Sequence, residues 1–228
     1  MNTLSLLHGI RFVDSFFPSG GYAFSSGLEA AVQGGAIRNA EDLDRYATDL
    51  LRKGTGQREA VAVALAHEAA AIGHLPSALK ADQQLDTMQL CRETRMASCQ
   101  MGRQVIRIAC DRVDAPAILR DFLAEVESGR SPGHLAVSLG LTLGAFGWRK
   151  KEAVAAFLYQ NAAGLVSAAL KLLPIGQREG QRLLESWLPL IEKQSHEVES
   201  RTEMTSWTPV QDIYAMRHSR LESRLFRS

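Results

Sequence analysis

The sequence VAAFLYQNAAGLVSAALKL, residues 154–172, decides the fold class of this chain. Its large apolar side chains recur at three- and four-residue steps, which is the spacing of the buried face of an α-helix. The same spacing returns in residues 43–51, 61–72 and 183–191. No segment alternates apolar and polar residues over the length of a half-buried strand, so the chain is predicted to be all-α.

Glycine and proline mark the ends of these helices and predict about eight to ten of them in one compact domain, residues 1–228. The segment Leu-Leu-Pro-Ile-Gly, residues 172–176, is predicted to be a corner between two apolar helices. The polar interval 195–209 is predicted to be a mobile loop. Residues 210–228 are predicted to form a C-terminal interaction tail that begins as a helix.

Composition narrows the classes of function. The 26 basic and 25 acidic residues give a net charge of +1, so no global field is available to hold a nucleic acid. Phosphate-loop, dinucleotide-binding and nucleophile-elbow motifs are missing from the sequence, so we expect neither a cofactor nor a catalytic site. No signal peptide is recognised and no membrane span is expected, so a cytoplasmic protein without a membrane contact is expected.

Three cysteines lie in one helical-looking stretch, at Cys91, Cys99 and Cys110. At about 1.5 Å per residue they are roughly 12 and 16 Å apart along that helix, too far for a disulfide or a shared metal ion. Small buried side chains in a reducing compartment are the favoured interpretation, and no metal site is expected. A cysteine- or carboxylate-based hydrolase is an alternative, in which Cys99→Ser would abolish activity.

The segment Pro-Ser-Gly-Gly-Tyr-Ala-Phe-Ser-Ser-Gly-Leu-Glu, residues 18–29, differs from an ordinary helix connection. Its proline and glycines predict a tight turn. Ser26 and Glu29 have the spacing of a capping box, so a helix is predicted to start near Ser26. Tyr22 and Phe24 then either pack into the core below the turn or are presented to a partner.

Four arginines in the tail recur at three- and four-residue steps, so they would share one face of a helix: Arg217, Arg220, Arg224 and Arg227. Arginine favours interface ion pairs, and this pattern indicates a partner-binding or dimer-forming tail. RNA binding through the tail is the competing interpretation, but no aromatic platform accompanies the arginines.

Several of these segments, taken in order, resemble the UreF family of urease accessory proteins. Residues 18–29 are similar to its P-x-G-x-[FY]-x-x-S-x-G-L-E signature. Further similarity is found in Glu93-Thr-Arg-Met-Ala-Ser98, in Pro174-Ile-Gly-Gln177 and in the terminal Arg224-Leu-Phe-Arg-Ser228. The resemblance extends from about residue 4 to residue 228. In place of His218-Ser219 many relatives have His-Glu, so a tail arginine is expected to find another partner, such as Glu222.

The resemblance implies an all-α homodimer that binds the accessory protein UreD (also called UreH). That complex would recruit the GTPase UreG and insert nickel into apo-urease without a catalytic site of its own. Modulation of the partner GTPase through the arginine tail is an alternative. The resemblance points to the turn and the tail, so the expected partner-binding residues are Pro18, Gly20, Gly21, Tyr22, Arg220, Arg224 and Phe226.

Overall fold

A computed structural model describes residues 2–227 and is all-α over that range, without strands, as predicted. Eleven α-helices occur in these residues: α1 Thr3–Val13, α2 Leu28–Gln33, α3 Ala40–Lys53, α4 Glu59–Ile72, α5 Leu75–Met88, α6 Arg92–Cys110, α7 Ala117–Glu127, α8 Leu135–Ala145, α9 Lys150–Leu172, α10 Gln177–Val198 and α11 Pro209–His218. The count is just above the predicted eight to ten. The break between α5 and α6, at residues 89–91, contains neither glycine nor proline and was missed for that reason.

Helix α8 is the centre of the core. All of its residues from Ala136 to Leu143 are buried, and it packs against α4, α6 and α9. Its contact with α4 is a backbone contact: a Cβ atom added to Gly140 would lie 2.4 Å from the carbonyl oxygen of Val63. A helix that is apolar all round is expected in such a position, because no face of it meets solvent.

Helix α9 contains the stretch that predicted the fold class. By length and composition it is apolar enough to cross a membrane, so the expectation that no such stretch occurs is wrong, but half of its apolar window is buried in the domain. Its neighbours are α10, α4 and α8, so the apolar surface is used in the core. The predicted corner follows, since α9 ends at Leu172 and α10 begins at Gln177.

The predicted loop 195–209 overlaps regular structure at both ends. Helix α10 continues to Val198, and α11 begins at Pro209, so the irregular segment comprises residues 199–208. Two backbone hydrogen bonds attach it to the end of α3 and the following turn: Trp207 N–H donates to Lys53 O over 2.8 Å, and Thr205 N–H donates to Gln57 O over 3.1 Å. Mobility of this segment stays a prediction.

The predicted arginine face is wrong in its geometry. Helix α11 ends at His218, so Arg217 is helical while Arg220, Arg224 and Arg227 lie in the irregular residues 219–227, called the C-terminal segment below. The backbone N–H groups of residues 225–227 bind acceptors elsewhere in the fold, namely Glu29 and Ala23. A continued helix would need the same N–H groups for its own carbonyls.

Candidate docking site

The glycine turn, residues 18–27, connects α1 to α2. Gly20 and Gly27 have φ angles of 78° and 84°, in the left-handed region that glycine enters without a steric cost. Gly27 also lies directly against α11, because an added Cβ atom would be 2.8 Å from the backbone nitrogen of Ala215. The turn is therefore fixed at one end by backbone conformation and by close packing.

The predicted capping box is absent, and this changes the role of Glu29. The N-cap of α2 is Gly27, which makes no side-chain hydrogen bond, and the helix begins at Leu28. The Ser25 hydroxyl, instead of Ser26, accepts the Glu29 N–H over 3.4 Å. The Glu29 carboxylate is directed away from its own helix end and binds the distant C-terminal segment.

Glu29 is the centre of an acid–histidine cluster, defined here as Glu29, Glu93, His218 and Arg224. One Glu29 oxygen accepts from Leu225 N–H over 2.6 Å, and the other accepts from Phe226 N–H over 3.1 Å. His218 Nε2 lies 2.8 Å from Glu29, and His218 Nδ1 lies 2.8 Å from Glu93. Arg224 completes the cluster by donating a hydrogen bond to Glu93 over 3.1 Å.

Burial makes the acid–histidine cluster costly to disturb. The His218 side chain is 0% exposed and the Glu29 side chain 2% exposed, so neither can exchange its partner for bulk water. Removing one partner from a buried charged pair costs about 3–5 kcal/mol, because the other is left unpaired. The cluster therefore holds the C-terminal segment against α2 and α6.

The environment of Glu29 lowers the pKa of its carboxyl group. Burial alone would raise this pKa, but hydrogen bonds from Leu225 N–H, from His218 and from Phe226 N–H more than offset burial. The folded chain therefore keeps Glu29 deprotonated at a pH where the unfolded chain would protonate it. Above the unfolded pKa, 4.5, its contribution to stability is fully present, and it is lost as pH falls through the folded pKa.

Acid is therefore expected to destabilise the attachment of the C-terminal segment. We expect the free energy of unfolding to fall between about pH 5 and pH 3 more steeply in the wild type than in Glu29→Gln, which has no carboxyl to protonate. Guanidinium titrations across this range, on both proteins, measure the difference. Equal slopes for the two proteins would show that Glu29 contributes nothing to the pH dependence.

The C-terminal segment is joined to the glycine turn itself. Arg227 N–H donates to Ala23 O over 2.8 Å, and Gln33 of α2 donates to Ser223 O over 3.0 Å. Phe226 is buried among the core residues, with the Lys171 ammonium 5.2 Å from its ring centroid. Residues separated by about 200 positions in sequence therefore form one continuous surface.

A cavity of about 500 Å³ opens beside this surface. Residues from the turn, α4, α6, α9 and α11 line it, among them Tyr22, Arg58, Met101, Asp212 and Phe226. Burial, together with the nearby Glu59, raises the pKa of Asp212, although the guanidinium of Arg58 opposes this. The turn and Phe226 thus border a partly charged cavity.

Comparison with known proteins matches this chain, over residues 37–187, to the family model described as UreF. The chain belongs to the UreF family. The urease accessory protein UreF of Bacillus sp. (strain TB-90) is 30% identical over 98% of this chain and 99% of its own length. That of Xanthobacter autotrophicus is 33% identical over 99% and 92%, and that of Yersinia enterocolitica 26% identical over 99% and 99%.

The structure of this UreF-family chain separates the expected partner-binding residues into three groups by exposure. Pro18, Tyr22, Arg220 and Arg224 are exposed, Tyr22 to 77%, while Gly20 and Gly21 are half-buried in the turn. Tyr22 is thus presented at the surface rather than packed in the core, while Phe24 is half-buried. Phe226 is only 6% exposed, so it anchors the C-terminal segment and offers little surface to a partner.

Sequence reasoning missed the residues that connect the turn to the tail. The capping-box spacing predicts a helix cap at Glu29, and no local pattern assigns His218 or Glu93 a role in holding the segment. The expected pairing with Glu222 differs from the one observed, since Arg224 pairs with Glu93 and Glu222 is exposed. The available signal was that Glu29, Glu93 and His218 each lie inside or beside a segment that resembles the UreF family.

The hydrolase alternative requires an activated nucleophile, and Cys99 is the candidate with a neighbouring histidine. Its Sγ lies 3.7 Å from His134 Nδ1. Burial, helped by Asp82 and Asp86, raises the pKa of Cys99 to about 12 against the opposing charges of Arg103 and Arg95. The thiol therefore stays protonated at neutral pH, the reverse of what a nucleophilic cysteine needs.

Proposed function

We propose that this chain is a non-catalytic scaffold for urease maturation that binds UreD (UreH) and recruits UreG for nickel insertion into apo-urease. The relatives named above are urease accessory proteins, and the chain matches them over nearly its whole length. The observation that carries the proposal is the hydrogen bonding between the glycine turn and the C-terminal segment. It brings the exposed side chains of Tyr22, Arg220 and Arg224 onto one surface, called the docking surface below.

The chemistry of that surface suits protein recognition. Tyrosine and arginine are enriched at the centres of protein interfaces, where an aromatic ring and a bidentate cation contribute most of the binding free energy. Tyr22 lies on a turn that contains two glycines with left-handed backbone conformation, and Arg224 forms an ion pair with Glu93. Little conformational entropy is then lost when a partner binds, which favours affinity. An acidic, partly apolar surface on UreG is the partner that fits.

Co-elution on a sizing column tests the proposal with purified UreD, UreG and this chain. We expect the wild type to form a complex with both proteins, and Tyr22→Ala and Arg224→Ala to lose UreG by about tenfold or more in affinity, as for central interface residues. Each variant is compared with a matched change outside the surface: exposed Trp207→Ala for Tyr22, and exposed Arg182→Ala on α10 for Arg224.

The outcomes distinguish the proposal that the chain is a scaffold from the proposal that the docking surface binds UreG. Circular dichroism must show that all four variants stay folded. Loss of UreG by both turn and tail variants, but by neither control, supports the surface. Equal behaviour of variants and controls contradicts the surface and leaves the scaffold, whereas a wild type that binds neither protein contradicts the scaffold itself.

Modulation of the partner GTPase by a tail arginine is the second candidate. Arg224 is the residue for it, because its side chain is 43% exposed yet hydrogen-bonded to Glu93. To act as an arginine finger it would have to leave Glu93 for the phosphates. Arg224→Lys keeps the charge but loses the planar fork, so a GTP hydrolysis rate that falls while UreG binding is retained would favour this role.

The remaining parts of the proposal concern assembly and location. The family resemblance implies a homodimer. Helix α1 offers an apolar face to a second copy or to another partner protein, because Leu4, Leu7 and Ile10 are exposed on successive turns. Sedimentation velocity on the isolated chain measures the dimer directly.

The three cysteines, all free, suit a reducing compartment, so we place the protein in the cytoplasm.

A further inference from the structure

Helices α5, α6 and α8 meet at a second polar cluster, away from the docking surface. Asp86 of α5, Cys99 of α6 and His134 before α8 each offer one atom, and these three atoms all lie within 4.8 Å of one another. His134 Nε2 is 3.1 Å from Asp86 Oδ1 and 3.9 Å from Cys99 Sγ. A carboxylate, a thiol and an imidazole thus converge from three separate elements.

We propose that Asp86, Cys99 and His134 form a binding site for a divalent transition-metal ion of the Zn²⁺ and Ni²⁺ type. Ions of this type accept sulfur, nitrogen and oxygen ligands together. Around tetrahedral zinc, with bonds of about 2.0–2.3 Å, neighbouring ligand atoms are about 3.3–3.6 Å apart. The two separations that involve His134, 3.1 and 3.9 Å, reach that spacing with shifts of a few tenths of an ångström, and the third pair, Asp86 with Cys99, lies within 4.8 Å.

The histidine is held rigidly in place by a neighbouring carboxylate. Asp82 is completely buried, one turn before Asp86, and accepts from the Ser131 hydroxyl over 2.6 Å and from the Gly133 and His134 N–H groups over 2.7 and 2.9 Å. The backbone of α6 touches the same loop, since a Cβ atom added to Gly102 would be 2.2 Å from Gly133 O. The ligand is therefore positioned before any ion arrives.

The second nitrogen of His134 has the partner that metal-binding histidines commonly have. The Ser98 hydroxyl lies 3.1 Å from His134 Nδ1 and accepts the Leu135 N–H over 3.3 Å. When Nδ1 donates its hydrogen to Ser98, the lone pair of Nε2 faces Asp86 and is available to a cation. Such outer contacts fix the tautomer and the ring orientation of a ligating histidine.

Charge and exposure suit an ion that is taken up and released. A carboxylate and a thiolate together neutralise a divalent ion, and the thiol proton leaves to solvent when the sulfur–metal bond forms. Arg95 Nε, 3.7 Å from Asp86 Oδ1, competes with the ion for that carboxylate. Three protein ligands leave a fourth position open, and the Asp86 side chain, 30% exposed, gives access to it.

The three ligands come from different elements of the fold, and none of them belongs to the surface on which the proposed function depends. The cysteine spacing argues only against an ion shared among cysteines, and Cys91 lies just before α6 and not within it. Sequence spacing gives no distance between α5, α6 and α8, so a site with one ligand from each element is visible only in the structure. The site can therefore be tested on the isolated full-length chain, without urease or any partner.

The test uses Co²⁺ as a spectroscopic probe and Zn²⁺ in competition with a chromophoric chelator. We expect wild type to bind one Co²⁺ per chain with a thiolate-to-cobalt absorption band, which Zn²⁺ abolishes. Cys99→Ser should remove the band and Asp86→Asn should weaken binding, whereas Ser98→Ala should weaken it about tenfold as an outer contact. Cys110→Ser on the same helix is the matched control and should keep the band.

In the cobalt experiment, two results would overturn the site: a wild type without a thiolate band, or a band that survives in Cys99→Ser. Should Cys99→Ser fail to fold, the double variant Cys91→Ser, Cys110→Ser retains Cys99 as its sole cysteine. X-ray absorption on its zinc form should then show one sulfur at about 2.3 Å. A zinc shell of nitrogen and oxygen alone would exclude Cys99 as a ligand and overturn the site.

Discussion

Glu29→Ala is expected to lower the free energy of unfolding by about 3–5 kcal/mol, because it removes one partner of a buried charged cluster. His218, which is completely buried, then has its Nε2 without an acceptor. The N–H groups of Leu225 and Phe226 lose their acceptor in the same step. A buried donor left unpaired costs about 1–3 kcal/mol, so the effects reinforce one another.

The effect should be local as well as global. Hydrogen exchange of the C-terminal segment is expected to accelerate strongly in Glu29→Ala, while that of α8 changes only in proportion to the global stability. Glu222→Ala is the matched control, since this exposed glutamate lies in the segment but outside the acid–histidine cluster. Should Glu222→Ala and Glu29→Ala release the segment equally, the cluster would not be what holds it.

The same variant connects stability with the proposed docking surface. Releasing the segment separates Arg224 from the glycine turn without changing either Arg224 or Tyr22. We therefore expect Glu29→Ala to lose UreG while keeping the fold of residues 28–218, as judged by circular dichroism. Retention of UreG by this variant would show that the turn and the tail act independently.

The fold class could be predicted from the sequence because the buried face of each helix is visible in the spacing of apolar residues within one segment. The stripe in residues 154–172 forms α9, and the buried face that it predicted includes Phe157, Leu158 and Leu165. The breaks at Gly34 and Pro174 were likewise visible, since these residues disfavour a continued helix wherever they occur. Apolar periodicity and helix-breaking residues therefore predict the helices, because both act in the same way in every fold.

The candidate site could be predicted only in part, because its contacts are long-range. The turn and the tail were each recognised, but Glu29 and His218 are 189 residues apart, and no local rule pairs them. The capping-box rule predicts that the Glu29 side chain binds the N-terminus of its own helix. In the structure it binds His218 and the N–H groups of Leu225 and Phe226 instead. The arginine spacing predicted a helix for the same reason, since the acceptors at Ala23 and Glu29 were not visible.

The close crossing of α4 and α8 predicts the second large effect, in Gly140→Ala. The added Cβ atom would lie 2.4 Å from Val63 O and 3.0 Å from both the Val63 Cα and the Ala66 Cβ. Two of these atoms belong to the backbone of α4, so no side-chain rotation relieves the overlap and the two helices must separate. Overpacking of this kind costs about 3 kcal/mol, more than the roughly 1 kcal/mol that alanine gains over glycine in a helix.

Gly164→Ala is the matched control, because this glycine is also helical, on α9, but an added Cβ atom meets nothing within 4 Å. Here the helix propensity acts alone, and a gain of about 1 kcal/mol is expected. In a chain of this size, thermal unfolding should shift down by several degrees in Gly140→Ala and up by about 2–4 °C in Gly164→Ala. The opposite signs matter more than the sizes. Two stabilising shifts would mean that α4 and α8 are not in backbone contact, and α8 would then not be the packed centre that positions His134.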